Sequence, residues 1–204
     1  MSEPAFISKN ALSPSDDAYP CRESARIRSV YNQPVTSNCS ETTTVADASR
    51  QDLGEILAIY NEVIRNSTAV YSEVEFTSAR GDTWFDTKAE QGFPFLVARD
   101  ATGVVGFGTM GDFRAWPCYR YSVEHSVHVR ADCRGRGIGR ALVLELIERA
   151  KAMHKHVLIA GIDADNKVSI GLHQRLGFKV AGHLHEVGFK FGRWLDLVFL
   201  ELTL

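Results

Sequence analysis

A single stretch, residues 123–143, joins an alternating segment to a helical segment through a turn rich in arginine and glycine. From 123 to 129 the side chains alternate between a mostly apolar set and a polar set that includes Glu124, which predicts a β-strand. From Leu142 onward the apolar residues recur at helical spacing, which predicts an α-helix. A strand that passes directly into a helix is typical of an α/β fold.

The turn between strand and helix carries glycines at three alternate positions, 135, 137 and 139. Glycine lets the backbone come close to a ligand, and a helix N-terminus already favours an anion. The turn is therefore predicted to bind a pyrophosphate group, with a basic loop that merely caps the helix as the alternative. The predicted binding residues are Arg134, Gly135, Arg136, Gly137, Ile138, Gly139 and Arg140.

Two common phosphate-binding motifs do not fit this turn. A kinase-like phosphate loop requires Gly-x-x-x-x-Gly-Lys-Ser/Thr, which the chain lacks. A dinucleotide-binding fingerprint that begins at Gly137 requires a third glycine where this chain has Leu142. The turn is thus predicted to bind a different phosphate-containing ligand.

Arg134-x-x-Gly137-x-Gly139 after a strand resembles the acyl-coenzyme A loop of the GNAT superfamily of N-acetyltransferases. Within it, the segments 123–129, 159–166, 173–178 and 187–194 together resemble the phosphinothricin and methionine sulfoximine/sulfone N-acetyltransferases. The resemblance covers residues 44–204. It implies acetyl-CoA as co-substrate, acetylation of the α-amine of a small amino acid, and a homodimer.

Other patterns predict further elements around this unit. Ser49 followed by Asp52 is typical of a capping box at a helix start, and the apolar run 157–162 is typical of a strand buried on both faces. Together they predict a mixed α/β sheet with helices on its faces, and the resemblance implies six or seven strands splayed at the central strand. The remaining predicted elements are helices at 53–64, 78–91 and 168–176 and strands at 93–98, 104–110 and 194–202.

Residues 1–43 differ in composition from the rest of the chain. They contain four of the six prolines, many serines and asparagines, and no sustained hydrophobic period. This composition predicts a flexible N-terminal extension, 1–43, followed by an acetyltransferase domain, 44–204.

Charge and hydropathy argue against several partners. The 23 basic and 25 acidic residues give a net charge of −2, which argues against a nucleic-acid-binding protein. No apolar run approaches the roughly 20 residues of a membrane span, and no signal pattern opens the chain, so a cytoplasmic protein without membrane contact is predicted. His183 and His185 are two potential metal ligands without a third at suitable spacing, so no metal site is predicted.

Acetylation requires a neutral amine, whereas an α-ammonium group has a reference pKa of roughly 8 and is mostly protonated at neutral pH. Glu124 lies on the central strand, where a carboxylate can take that proton directly or through a water molecule. In the resembling group a glutamate in this motif is the general base, which implies the same role for Glu124. An exposed carboxylate or an ion-pair partner is the alternative.

The resemblance also implies how the thioester is held. The backbone of Val127, His128 and Val129 is expected to bind acetyl-CoA and stabilise the developing oxyanion. Asn166 and His173 are seven residues apart, nearly two helical turns, and are predicted to share a face. Asn166 would hold the pantetheine arm, and His173 would protonate the thiolate where much of the superfamily uses a tyrosine. A simply packed histidine is the alternative.

Substrate recognition is predicted in the segment before the central strand. Arg114, Tyr119, Arg120 and Tyr121 lie close in sequence to Glu124. Guanidinium groups bind carboxylate, phosphinate or sulfone oxygens through paired hydrogen bonds. Solvated loop charges or cofactor contacts are the alternative for both arginines.

Three further interpretations concern the early loop, the 190–194 segment and the function. The resemblance adds Tyr71 and Glu73 as pocket candidates. Residues 190–194 are predicted to form a hairpin tip that closes the cleft or contacts a second subunit. A non-catalytic acyl-CoA-binding module, or an N-acetyltransferase for another amine, is the alternative function, and Glu124 favours an enzyme because a sensor needs no base.

Overall fold

A computed structural model describes residues 43–204 of the chain, so nearly all of the predicted N-terminal extension lies outside the described residues. Within this range the chain forms four α-helices and seven strands. The helices are α1 Leu53–Asn66, α2 Ser78–Glu90, α3 Ile138–Ala152 and α4 Lys167–Arg175, and the strands are β1 Thr44–Asp47, β2 Phe95–Asp100, β3 Gly103–Asp112, β4 Ser122–Val129, β5 Val157–Asp163, β6 Lys179–Lys190 and β7 Arg193–Thr203.

One sheet contains all seven strands, in the order β1-β2-β3-β4-β5-β7-β6. Each neighbouring pair is antiparallel except β4 and β5, which are parallel. Their register covers three positions and ends where Glu124 pairs with Ile159. Beyond that pair, β4 runs on to Val129 and β5 to Asp163, so the sheet opens between them. The predicted mixed sheet, splayed at the central strand, is confirmed.

The core lies on both faces of this sheet. The apolar face of α3, with Leu142 and Leu146 fully buried, packs on one side against strand residues such as Val123 and Leu158. On the other side α1 contributes Ile56 to a second cluster. Burying a side chain of this size stabilises the fold by about 1.5–3 kcal/mol, so α3 holds the two strands that flank the opening, while α1 packs on β2 and β3.

The predicted helices are confirmed with small shifts at their ends. The Asp52 carboxylate accepts a hydrogen bond from the backbone of Ser49 at 2.7 Å, just before α1. Asn166 caps α4 by accepting from the backbone of Ser169 at 3.1 Å, and Gly177, with φ of 93°, ends that helix. Among the described residues, no helix is long and apolar enough to cross a membrane.

The sequence predicts no bounds for two of the strands, although the predicted hairpin tip at 190–194 implies a strand before it. β1 has only four residues, none of them buried. β6 is exposed along nearly its whole length, and a bulge between Leu184 and Gly188 shifts its register against β7. Glu186 has a positive φ of 53° in that bulge. The alternation that identifies a half-buried strand is therefore missing from β6.

Candidate active site

The opening between β4 and β5 leads into a cavity of about 640 Å³. Its walls come from the ends of both strands, the loop before α3 and the first turns of α3 and α4. The structure therefore brings together groups that are far apart in sequence. The predicted site residues that line it are Val127, His128, Val129, Arg134, Gly135, Gly137, Ile138, Gly139, Arg140, Asn166 and His173.

The glycine loop has the geometry of an anion cradle. Gly135 and Gly137 have φ of 78° and 81°, in the left-handed region that favours glycine. A Cβ at either position would meet no atom of the described residues within 4 Å, so the backbone faces open space. Gly137 directly precedes α3, and the first N–H groups of a helix lack partners within the helix. These features fit a pyrophosphate group.

The three loop arginines differ in their surroundings. Arg134 donates from Nε to the carbonyl oxygen of Val129 at 3.1 Å and from Nη2 to Glu62 at 3.3 Å, which ties the loop to β4 and α1. Arg140 lines the cavity. The guanidinium of Arg136 instead lies 4.0 Å from the Asp100 carboxylate.

A smaller cavity, of about 240 Å³, lies beside Glu124. The aromatic side chains of Tyr60, Phe76 and Trp84 form part of its wall. Tyr60 and Ser126 line both cavities, so the two spaces adjoin at the central strand. An acceptor in the smaller cavity would therefore lie beside a thioester in the larger one.

Glu124 is partly buried in the smaller cavity. Burial raises the pKa of its carboxyl group above the usual value, and the positive charge of Arg114 opposes that rise. A carboxylate of raised pKa is a better proton acceptor. The group is thus suited to remove a proton from an ammonium.

Three histidines that line the larger cavity, His125, His128 and His173, have lowered pKa values. Burial is the first cause for all three, and the charge of Arg134 adds to it at His128, whose pKa falls to about 4. His173 is buried on α4, on the helix that Asn166 caps. His173 also contacts His125, a buried residue of β4 to which the sequence assigned no role.

The predicted substrate-binding residues lie in the loop between β3 and β4. Arg114 stacks over Phe113, with its guanidinium carbon 4.1 Å from the ring centre. Tyr119, Arg120 and Tyr121 are exposed in the same loop. None of these four predicted residues lines either cavity of the described part of the chain. Arg114 is nevertheless close enough to Glu124 for its charge to affect the pKa there.

Residues from the loop after α1 reach the far end of the site. The Tyr71 hydroxyl donates to the backbone oxygen of Asp196 at 2.7 Å and lies 3.2 Å from the carboxylate of Asp163. Glu73 accepts from the backbone of Phe191 at 3.1 Å, at the turn between β6 and β7. Both candidates therefore hold the loop against the last hairpin, and neither lines a described cavity.

The structure adds a group to the histidine pair of β6. His183 and His185 both contact Oδ2 of Asp196, at 3.0 and 2.9 Å, and the potential ligand atoms of the three lie within 4.8 Å of one another. Asp196 is thus the third potential ligand that sequence spacing does not provide. Because each imidazole can donate a hydrogen bond to the carboxylate, the cluster is satisfied as it stands. The absence of a metal site stays a prediction.

Comparisons with known proteins agree with this geometry. Residues 46–199 match the family described as Acetyltransferase (GNAT) domain. An L-methionine sulfoximine/L-methionine sulfone acetyltransferase of Pseudomonas aeruginosa is 50% identical over 164 residues, which are 80% of this chain and 95% of that protein. A phosphinothricin N-acetyltransferase of Alcaligenes faecalis is 37% identical over 79% of this chain and 82% of its own length.

A solved structure shares the fold. It is a GNAT superfamily phosphinothricin acetyltransferase from Sinorhizobium meliloti in complex with AcCoA, with a TM-score of 0.78. Its sequence is 39% identical, and the match covers 80% of this chain and 89% of that one. The chain therefore belongs to the GNAT family of acetyltransferases.

Proposed function

We propose that the enzyme transfers the acetyl group of acetyl-CoA to the α-amine of a small amino acid of the phosphinothricin, methionine sulfoximine or methionine sulfone type. Relatives with these names support the substrate class. The observation that carries the proposal is a carboxylate, Glu124, beside a cavity that adjoins the open glycine cradle. Within this proposal, residues 44–204 form the catalytic domain.

The loop and α3 hold the pyrophosphate of acetyl-CoA. Backbone N–H groups from Gly135 to Arg140 bind its oxygens, and the guanidinium groups of Arg134, Arg136 and Arg140 add positive charge around it. Asn166 uses Oδ1 to cap α4, so Nδ2 is the donor that remains for a carbonyl of the pantetheine arm.

Glu124 acts as the general base. Its carboxylate accepts a proton from the substrate ammonium, directly or through a water molecule, and the amine then attacks the thioester carbonyl. The backbone at Val127, His128 and Val129 stabilises the oxyanion, because the β4–β5 ladder has already ended at Glu124. As the C–S bond breaks, His173 gives a proton to the departing thiolate.

The loop between β3 and β4 recognises the rest of the amino acid. Arg114 and Arg120 bind its carboxylate or its sulfone, sulfoximine or phosphinate oxygens, and Tyr119 and Tyr121 add aromatic contacts. A cation beside Glu124 also favours an amino acid over a polyamine, which would be attracted by acidic groups instead. The influence of Arg114 on the pKa of Glu124 supports this assignment.

The enzyme works as a cytoplasmic homodimer with no nucleic-acid, membrane or metal partner. The β6–β7 hairpin supports the dimer because β6 is an edge strand and the hairpin exposes large apolar side chains. Lys190 does not add a basic surface for nucleic acid, since its side chain is buried. The exposed apolar residues of the hairpin are Val180, Leu184, Val187, Phe189, Phe191 and Trp194.

A thiol-release assay with acetyl-CoA tests the proposal. The acceptor panel contains methionine sulfoximine, methionine sulfone, phosphinothricin, ordinary amino acids, spermidine and a peptide N-terminus. The expected result is turnover confined to methionine sulfoximine, methionine sulfone and phosphinothricin. Turnover on spermidine or the peptide alone would favour an acetyltransferase for another amine and overturn the substrate assignment.

A further inference from the structure

A lysine of α2 supplies positive charge to the smaller cavity. Of the described residues that line this cavity, Lys88 is the one with a basic side chain. It lies one helical turn after Trp84, whose ring lines the same cavity, so α2 directs both side chains to the same side. Arg114 and Arg120, in the described loop between β3 and β4, do not line it. Lys88 is therefore the cation that an acceptor inside the cavity would meet.

The ammonium group of Lys88 occupies the place of a missing side chain on β3. Its Nζ donates to the backbone oxygen of Met110 at 2.8 Å. A Cβ at Gly111 would collide with Nζ, so the glycine leaves room for the ammonium. Gly111 pairs with Glu124 across the β3–β4 ladder, and side chains at paired positions lie on the same face of a sheet. The Lys88 ammonium and the Glu124 carboxylate thus meet the cavity from neighbouring positions of the sheet.

The Lys88 ammonium has hydrogens left for a ligand. An ammonium has three N–H donors, and among the described residues the carbonyl of Met110 is the one hydrogen-bond acceptor of Nζ. Burial lowers the pKa of Lys88, and the negative charge of Asp112 opposes that change. A charged group that has left water gains from an oxygen ligand. The remaining hydrogens of Nζ are therefore available to an oxygen atom of the acceptor.

Lys88 and Arg114 lie at different distances from the base. The positive charge that lowers the pKa of Glu124 is that of Arg114, whereas the carboxylate that acts on Lys88 is that of Asp112. The Glu124 carboxylate extends towards β5, where Oε1 lies beside Gly161. Arg114 is therefore the nearer cation to the base, and Lys88 is the farther one, on the β3 side.

These positions match the order of groups along the proposed acceptors. The α-carboxylate and the α-amine share one carbon atom, so an ammonium at Glu124 leaves the carboxylate close by, on the side of Arg114. Two methylene groups separate that carbon from the sulfone, sulfoximine or phosphinate group, which therefore reaches farther into the cavity. Tyr60, Phe76 and Trp84 form an apolar wall for the methylene groups, with ring centres 5.0, 5.4 and 5.6 Å apart in pairs.

We propose that Lys88 is the specificity-determining residue for the tetrahedral sulfur or phosphorus group of the acceptor, and that its ammonium donates a hydrogen bond to an oxygen of that group. The inference rests on the proposed function and divides recognition between two cations, since Arg114 then holds the α-carboxylate. A sulfone or sulfoximine oxygen accepts from the ammonium, and a phosphinate adds a full negative charge. Methionine has no oxygen on its sulfur and leaves the ammonium without this ligand.

Calorimetry on the full-length chain loaded with coenzyme A tests the inference without turnover. The ligands are methionine sulfone and methionine, which share a carbon skeleton and differ in the oxygens on sulfur. The wild-type chain should bind methionine sulfone about 10–100-fold more tightly than methionine. Lys88→Met should weaken the binding of methionine sulfone by about the same factor and leave that of methionine within about twofold. Lys151→Met, at an exposed position of α3, is the control and should keep the wild-type preference.

Three results would overturn the role of Lys88. The first is a preference for methionine sulfone that persists in Lys88→Met. The second is an equal loss of affinity for both ligands, which the loss of the hydrogen bond to Met110 would cause by reshaping the cavity. The third is a wild-type chain that binds neither ligand.

Kinetics with methionine sulfone separate binding from chemistry. The oxygen on sulfur is remote from the thioester, so Lys88→Met should raise the KM for methionine sulfone about 10–100-fold and leave kcat within about threefold. A fall of kcat with an unchanged KM would contradict the inference, because it would indicate a displaced base rather than a lost binding contact.

The two proposals fail in different ways. A wild-type chain that acetylates no amine would overturn the proposed function, and calorimetry would still decide whether Lys88 recognises the oxygens of methionine sulfone. Acetylation of methionine sulfone with an unchanged preference in Lys88→Met would retain the proposed function and overturn the role of Lys88.

Discussion

Gly161 on β5 leaves the space that the carboxylate of Glu124 on β4 occupies. A Cβ at position 161 would lie 2.8 Å from Oε1 of Glu124, closer than non-bonded atoms tolerate. The two strands separate just beyond the pairing of Glu124 with Ile159. The glycine therefore allows the carboxylate to remain beside the opening.

Replacement of Gly161 by alanine should displace the carboxylate while leaving the sheet intact. We expect kcat to fall about tenfold or more, because small misplacements of a catalytic group are costly, and the Kd for acetyl-CoA to stay within about twofold. Gly182→Ala is the control, since a Cβ there meets no atom of the described residues within 4 Å. Wild-type kcat in Gly161→Ala would contradict the assigned position of the base.

Replacement of Gly137 by valine should weaken acetyl-CoA binding. The new side chain would enter the space that the pyrophosphate needs, and φ of 81° adds backbone strain. Gly92→Val is a matched control, because Gly92 has a similar φ of 71° and lies in the turn after α2. Calorimetry should show a much higher Kd for acetyl-CoA in Gly137→Val alone. An equal Kd for acetyl-CoA in Gly137→Val and Gly92→Val would contradict the binding of the pyrophosphate at the glycine loop.

The pH dependence of kcat/KM should report the environment of Glu124. Burial raises the pKa of this carboxyl group. As the medium is acidified, activity should therefore be lost at a higher pH than with a general base whose pKa is that of an ordinary glutamate. Arg114 lowers the same pKa, so Arg114→Ala should move the acid limb to still higher pH. Arg120→Ala is the control and should leave the limb in place. An unmoved limb in Arg114→Ala would contradict the predicted coupling.

Lys190 should stabilise the fold rather than act at the surface. Its Nζ donates to the backbone oxygens of Ile64, Ser67 and Val70 at 2.7, 2.7 and 2.8 Å, and the residue is 1% exposed. Lys190→Met would leave these carbonyls without their donor and should lower the free energy of unfolding by about 3 kcal/mol. Denaturant unfolding measures the change, and the exposed Lys151→Met should show little effect. A similar loss in both variants would contradict this account.

The sequence predicts those parts of the site that are contiguous along the chain. The glycines and arginines of the loop, the alternation of β4 and the apolar face of α3 all depend on neighbours within a few residues. Asn166 and His173 lie on one short helix, so their spacing is enough to relate them. The narrower resemblance adds the role of Glu124, which composition and periodicity cannot supply, whereas the role of Arg114 is inferred from guanidinium chemistry and its closeness in sequence to Glu124.

Features that depend on distant contacts are missed. His125 contacts His173, 48 residues later. Asp196 meets His183 and His185 only across the bulged pairing of β6 and β7. Lys190 looks like part of a basic hairpin tip, but its partners are carbonyl groups at the end of α1 and in the following loop. Tertiary packing, which no local period encodes, decides each of these positions.

The most direct test of the account is the effect of Glu124→Gln on turnover and on acetyl-CoA affinity, measured side by side with Glu148→Gln as a surface control. The account predicts that kcat falls about 100-fold or more, because general base catalysis is removed, while the Kd for acetyl-CoA stays within about twofold. Equal losses of turnover and affinity, or a kcat that does not fall, would contradict the assignment of Glu124 as the base.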